Sequence, residues 1–424
     1  MQINAINGAN FSYKNVNSRS KNANPSFGKL IPQVAKDSQS EQVKKATLRF
    51  IKFMRNLTIK AQSDKQSRNL LQNLVGEKAT QQLVTNREEY AKKTDALADK
   101  ALPLSGQGSR GAEIRKSITD QLGIEETNKT IMPLPAILGE DEEGPVYLTT
   151  SNNELLHMMQ AQVLSPDEEV EIIETEKSDG DATVLVEGLK QGIIKGDKPV
   201  LFTYTDDVGS QGEADYSSLM AEYKKVKDDP NVSVITRGYV ATKEETAWKL
   251  GAFFPNEDGK SYRVVEKPTM DQLDKALGTT NEVMTNIGKT LFTPAGLQEI
   301  ASRLGNPQKE DTLKKDDKGE RKWHVTEGIL KPAGRKGTLN VIRKDGQFND
   351  VGNGTIFTDT MVRIAKGAFK AICAPFLEKQ IQENVTAYSE GGNDFATLNY
   401  NGTPVHLPMT DGALKRIEAE ANRQ

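Results

Sequence analysis

Residues 102–111 read LPLSGQGSRG, a glycine-rich stretch set just after a short apolar run. The spacing G-x-G-x-x-G lets main-chain amides approach phosphate oxygens with no side chain in the way. Several chemistries compete for it. A dinucleotide site wants an acidic residue about 20 residues further on, at the end of the second strand. Here that strand, VYLTTS (146–151), ends in Thr and Ser and lies well beyond that distance. A P-loop is excluded because no Gly-Lys-Ser/Thr follows. A triphosphate loop uses Gly106 and Gly108 for close approach and Arg110 as a fixed cation on a departing pyrophosphate. Lys129, in NKTIMPLPAI, would act from the far side of the loop; Arg115 and Lys116 are its rivals. A plain turn with a solvated arginine needs no ligand.

The elements that must hold such a loop are legible along the chain of 424 residues. Charged residues make up 27% and the formal net charge is −3, so the chain is no polyelectrolyte partner of nucleic acid or anionic membrane. No apolar run approaches the roughly 20 residues that span a bilayer, and the first residues lack a basic stretch followed by an apolar one. The single cysteine, Cys373, forms no internal disulfide. Together these point to a cytoplasmic protein. His157, His324 and His406 are scattered and suggest no zinc site.

Residues 1–40 are polar and expected to be a disordered tail; residues 41–98 carry helical periodicity and read as a helical extension. That extension is either a cap or a module for self-association. From 99 to 360 strands and helices alternate: ALPLS, VYLTTS, EVEIIET (169–175), the helix ATVLVEGLKQGI (182–193), PVLFTYT (199–205), the helix YSSLMAEYKKVKDD and VSVITRGYV (232–240). This order predicts an α/β domain with a doubly wound, mostly parallel mixed sheet. Ligands of such sheets sit outside the C-terminal strand ends, where the glycine loop and Asp206 both fall. Residues 251–268 read as a hairpin around Asp258-Gly259, and 338–352 as another around Asp345-Gly346. The charged stretch within 306–337 reads as an exposed insert, and 361–424 as a C-terminal helical segment, with helix over 360–388 and 411–423.

LSGQGSR followed by NKTIMPLPAI resembles the signature of the sugar-phosphate nucleotidylyltransferases, and five further segments occur in that family's order. SDGDATVL (178–185) resembles its base-recognition turn, FTYTDDV (202–208) its strand ending in Asp, and YRVVEKP (262–268) its Val-Glu-Lys-Pro segment. MTNIG (284–288) and FNDVGN (348–353) resemble its Asn-x-Gly and Trp-x-Asp-x-Gly segments. The resemblance runs from about residue 100 to 355 and implies a nucleotide-diphospho-sugar transferase-like fold. It implies transfer of a nucleoside monophosphate from an NTP to a sugar 1-phosphate, with hexose 1-phosphate and UTP or dTTP favoured. Gly106, Gln107, Gly108 and Ser109 would bind the triphosphate, and Arg110, Lys129 and Lys267 would do the catalytic charge work. Asp179 and Gly180 would shape the base pocket; Glu266, Asn286 and Gly288 would line the sugar pocket. Asp206 and Asp350 would hold Mg²⁺, a hard cation that takes one or two carboxylates. Asn128, Thr205 and Phe348 stand where the family has proline, glycine and tryptophan. These departures motivate a second reading, a binding protein or scaffold of the same fold without turnover.

Overall fold

The first strands are short runs dominated by apolar side chains. They are β1 (Asp99–Leu102), β2 (Val146–Thr150), β3 (Val170–Glu174) and β4 (Val200–Phe202), with β5 (Asp207–Gly209) just beyond. Then come β6 (Val234–Thr242), β7 (Gly251–Pro255), β8 (Tyr262–Val265), β9 (Glu282–Phe292), β10 (Lys314–Asp317) and β11 (Glu320–Trp323). The remaining strands are β12 (Leu339–Lys344), β13 (Phe348–Asp350), β14 (Val385–Glu390), β15 (Asn393–Tyr400) and β16 (Thr403–Pro408). The helices are α1 (Lys65–Val75), α2 (Thr183–Lys190), α3 (Ser217–Val226), α4 (Lys243–Thr246) and α5 (Met270–Leu277). They continue with α6 (Pro294–Ala301), α7 (Pro307–Asp311), α8 (Lys331–Lys336), α9 (Gly354–Ala365) and α10 (Ala413–Ala421). This computed structural model describes residues 57, 60–77, 80, 81, 84, 98–103, 116, 117, 120, 121, 146–150, 170–174, 179–204, 207–209, 217–257, 259, 261–317, 319–344, 348–350, 354–368, 381–400 and 402–422.

The central sheet runs β12-β6-β9-β4-β1-β2-β3, with the β7–β8 hairpin joined through β7 to β9. All neighbours on this path are parallel except β9, which is antiparallel to both β4 and β6. Strand alternation sends Val200 and Phe202 to one face and Leu201 to the other. On the first face α2 and α6 bury Val184, Leu185 and Leu297 against Val200, Phe202 and Phe292. On the second, α3 buries Leu219 against Leu201, Ile235 and Leu291. Helices on both faces make the doubly wound architecture that the alternating sequence predicts. Each large apolar side chain removed from water contributes about 1.5–3 kcal/mol.

Three expectations are corrected. Residues 306–337 are not an exposed insert: Leu313, Trp323, Val325, Ile329 and Leu330 belong to the main core. Residues 338–352 are not a hairpin: β12 pairs parallel with β6, and β13 pairs antiparallel with β5. The C-terminal segment is not wholly helical. There β14, β15 and β16 form an antiparallel meander, and Val385, Ala396 and Leu407 build a second core with Val362 of α9 and Ile417 of α10. The hairpin around Asp258-Gly259 is present as β7–β8. This second unit touches the segment that follows the glycine loop. The Gln121 side chain donates to the His406 carbonyl at 2.8 Å and accepts from the His406 amide at 2.7 Å, covering part of the β16 edge.

Candidate active site

Connectivity sets where the ends of the central strands lie. The chain steps outward from β1 to β2 and β3, then returns to lay β4 against the other side of β1. The strand order therefore reverses between β1 and β4, which is where open α/β sheets bind ligands. Ala101 pairs with Phe202, so the exits of β1 and β4 lie side by side. The glycine loop follows the first exit. Gly106, Gln107, Gly108, Ser109, Arg110, Lys129 and Asp206 lie outside the described residues. Of Lys129's rivals, Arg115 lies outside them too, whereas Lys116 is paired with Asp120 at 2.6 Å.

Beyond β4 the structure brings two acidic segments together. β5 and β13 pair antiparallel, with Asp207 the register partner of Asp350. Directly opposed residues have Cα atoms about 4.5–5.5 Å apart, so the backbone of Asp350 lies beside the immediate neighbour of Asp206. Among the described residues no group of three or more His, Cys, Asp or Glu is assembled for a metal. Lys100, Lys289 and Arg237 are buried to 1%, 2% and 1% exposure. Arg237 donates to Ser218 of α3 at 2.8 Å.

A second cluster forms where β7 meets β9. Gly251 is the register partner of Asn286. A Cβ on Gly251 would stand 3.0 Å from Glu266 Oε2 and 3.3 Å from the Asn286 Cβ. The carboxylate and the amide side chain thus converge over a glycine. Between the paired positions Thr236/Thr290 and Gly238/Asn286, residues 287–289 of β9 oppose Arg237 alone. Such a bulge re-aims side chains. Gly288 takes φ +79° there, and its amide donates to Asn286 Oδ1 at 3.0 Å, fixing the side chain. Lys267 is exposed and holds φ +47°, unusual for a residue with a Cβ.

The Asp179–Gly180 turn lies between the exit of β3 and α2. The Trp323 amide donates to the Asp179 carbonyl at 2.6 Å, and a Cβ on Gly180 would stand 2.0 Å from the Trp323 carbonyl oxygen. The next residue, Asp181, accepts from the Tyr204 hydroxyl at 2.5 Å and from the Val325 amide at 2.9 Å. Sequence reasoning overlooked Asp181. The third position of D-G-D-A carries the carboxylate that ties the β4 exit to the segment after β11. It overlooked Gly251 too, whose signal was a glycine opening an apolar strand.

The class that the fold defines is a doubly wound α/β protein with a switch point between β1 and β4. No protein-family model matches the chain, and no curated protein matches it. Among solved structures it is similar to mannose-1-phosphate geranyltransferase from Thermus thermophilus, at 17% identity and a TM-score of 0.38, covering 61% of this chain and 77% of that one. It is also similar to UDP-glucose pyrophosphorylase complexed with UDP-glucose, at 15% identity and a TM-score of 0.38, covering 62% of this chain and 95% of that one. No helix among the described residues is long and apolar enough to cross a membrane.

Proposed function

We propose that the protein is a sugar-1-phosphate nucleotidylyltransferase, which joins the nucleoside monophosphate of an NTP to a sugar 1-phosphate and releases pyrophosphate. The observation that carries the reading is the register partnership of Asp207 with Asp350 beside the switch point. The convergence of Glu266 and Asn286 over Gly251 supports a polyol-binding end to the same edge.

In this reading an oxygen of the sugar phosphate attacks the α-phosphorus in line. The new P–O bond forms as the bond to the bridging oxygen breaks, and the electron pair leaves with pyrophosphate. Several anions must meet, so positioning and charge neutralisation supply most of the rate. The amides of Gly106 to Ser109 cradle the triphosphate, and Arg110 and Lys129 stabilise the departing pyrophosphate. Lys267 orients the attacking phosphate. Glu266 accepts from sugar hydroxyls, with Asn286 and Gly288 beside it, and the Asp179–Gly180 turn borders the base. Asp206 and Asp350 would hold Mg²⁺, which when bound neutralises phosphate charge.

A pyrophosphate-release assay with Mg²⁺ and a matrix of NTPs and sugar 1-phosphates tests the reading. Release that requires both substrates is the expected result. The departures at Asn128 and Thr205 favour a second reading, a binding protein of this fold. Binding of an NTP or sugar phosphate in a thermal-shift screen, with no release from any pair, would establish that instead.

A further inference from the structure

Trp248 is 66% exposed. Its neighbour Ala247 is buried in the core of the β7 and α5 layer. The Trp248 amide donates to the Pro268 carbonyl at 3.0 Å. Its φ is +66°, a left-handed conformation that a bulky residue adopts only under constraint. Across that hydrogen bond, one residue before Pro268, stands Lys267 with its own left-handed φ of +47°. Three residues after Trp248 comes Gly251, where the Glu266 carboxylate and the Asn286 side chain converge. A large aromatic in this conformation gains little from packing and loses backbone energy. Its backbone is joined, through the Pro268 hydrogen bond and the three-residue step to Gly251, to the segments that carry a polar cluster suited to hydroxyl groups.

We propose that Trp248 is a specificity-determining residue that stacks on the pyranose ring of the sugar 1-phosphate. This rests on the nucleotidylyltransferase reading. A pyranose offers hydroxyls at its edge and apolar C–H groups on its faces. Glu266 and Asn286 answer the edge, Lys267 the phosphate and the indole the face, the division of labour of a ligand site with an aromatic wall and few polar groups. Pinning the backbone removes the entropy that a mobile loop would lose on binding.

The chain has two tryptophans, and Trp323 is 3% exposed, so the quenchable emission belongs to Trp248. Glucose 1-phosphate and mannose 1-phosphate serve as probes, with inorganic phosphate as the control. Saturating sugar 1-phosphate is expected to shield Trp248 from acrylamide, and phosphate alone is not. W248A is expected to raise KM for the sugar 1-phosphate about tenfold, the scale of one aromatic contact, with KM for the NTP unchanged; W248F keeps most of the affinity. W248G relieves the left-handed strain and is expected to raise Tm while still raising KM, whereas loss of a merely structural tryptophan would lower Tm. Unchanged acrylamide quenching, or a wild-type KM in W248A, would overturn the proposal. Shielding without pyrophosphate release would overturn the enzyme reading and leave this contact standing; absence of both would overturn both.

Discussion

Gly251 has no side chain, and two polar groups occupy the approach to the space one would fill. Glu266 Oε2 and the Asn286 Cβ lie 3.0 Å and 3.3 Å from the position of its missing Cβ. Gly251→Ala therefore pushes the carboxylate away from the amide without touching the core. Its φ is not left-handed, so little strain accompanies the change. The expected outcome is a rise of about tenfold in KM for the sugar 1-phosphate, with Tm nearly unchanged. Equal losses for both substrates would show that the cluster does not serve the sugar end. Gly180 is different in kind. It holds φ +105°, and its missing Cβ would stand 2.0 Å from the Trp323 carbonyl oxygen. Backbone cannot swing aside as a side chain can. Gly180→Ala is expected to cost about 3 kcal/mol or more, read by denaturant unfolding. A wild-type midpoint would contradict the close approach.

The last helix, α10, has Gly412 at its N-cap and so no capping side chain of its own. Asp394 on β15 supplies one from across the fold: its carboxylate accepts from the Leu414 amide at 2.9 Å and from the Ser389 hydroxyl at 2.5 Å. The Ser389 hydrogen bond, followed by that of Leu414, holds the Asp394 carboxyl below its ordinary value. A carboxyl acidified by folding stabilises the folded state above its unfolded pKa, about 4. That stability fades as pH falls through the lower, folded value. Asp394→Ala is expected to lower stability by about 1 kcal/mol at pH 7 and to flatten the acid limb of the Tm profile. A parallel acid limb would contradict the assignment. Element by element, the sequence was readable where local pattern decides the outcome. PVLFTYT, VSVITRGYV and the helix from Thr183 carry their own periodicity, and the β7–β8 turn its own Asp-Gly. The misreadings share a cause, because partner choice between strands is not local. Asp345-Gly346 signals a turn, yet the strand before it pairs with β6 and the strand after it with β5. Around Trp323 the charged residues of β10 and β11 dominate the composition, while the few buried positions are spaced too widely to announce a core.

At the scale of the whole molecule, distant segments become neighbours through sheet order. No local pattern near residue 207 points to residue 350; the pairing of β5 with β13 brings their backbones together. The resemblance to nucleotidylyltransferases implies that Asp206 and Asp350 act together, and the register of β5 and β13 places the backbone of Asp350 beside Asp207, the residue after Asp206. The most direct measurement is a double-mutant cycle in kcat/KM on Asp206→Asn and Asp350→Asn, with thermal unfolding to verify each fold. Groups that act as one unit are not additive. Each single change is predicted to cost about a hundredfold or more, and the double change little beyond the worse single one. Fully multiplicative losses, or near wild-type kcat/KM in either single variant, would contradict a shared site.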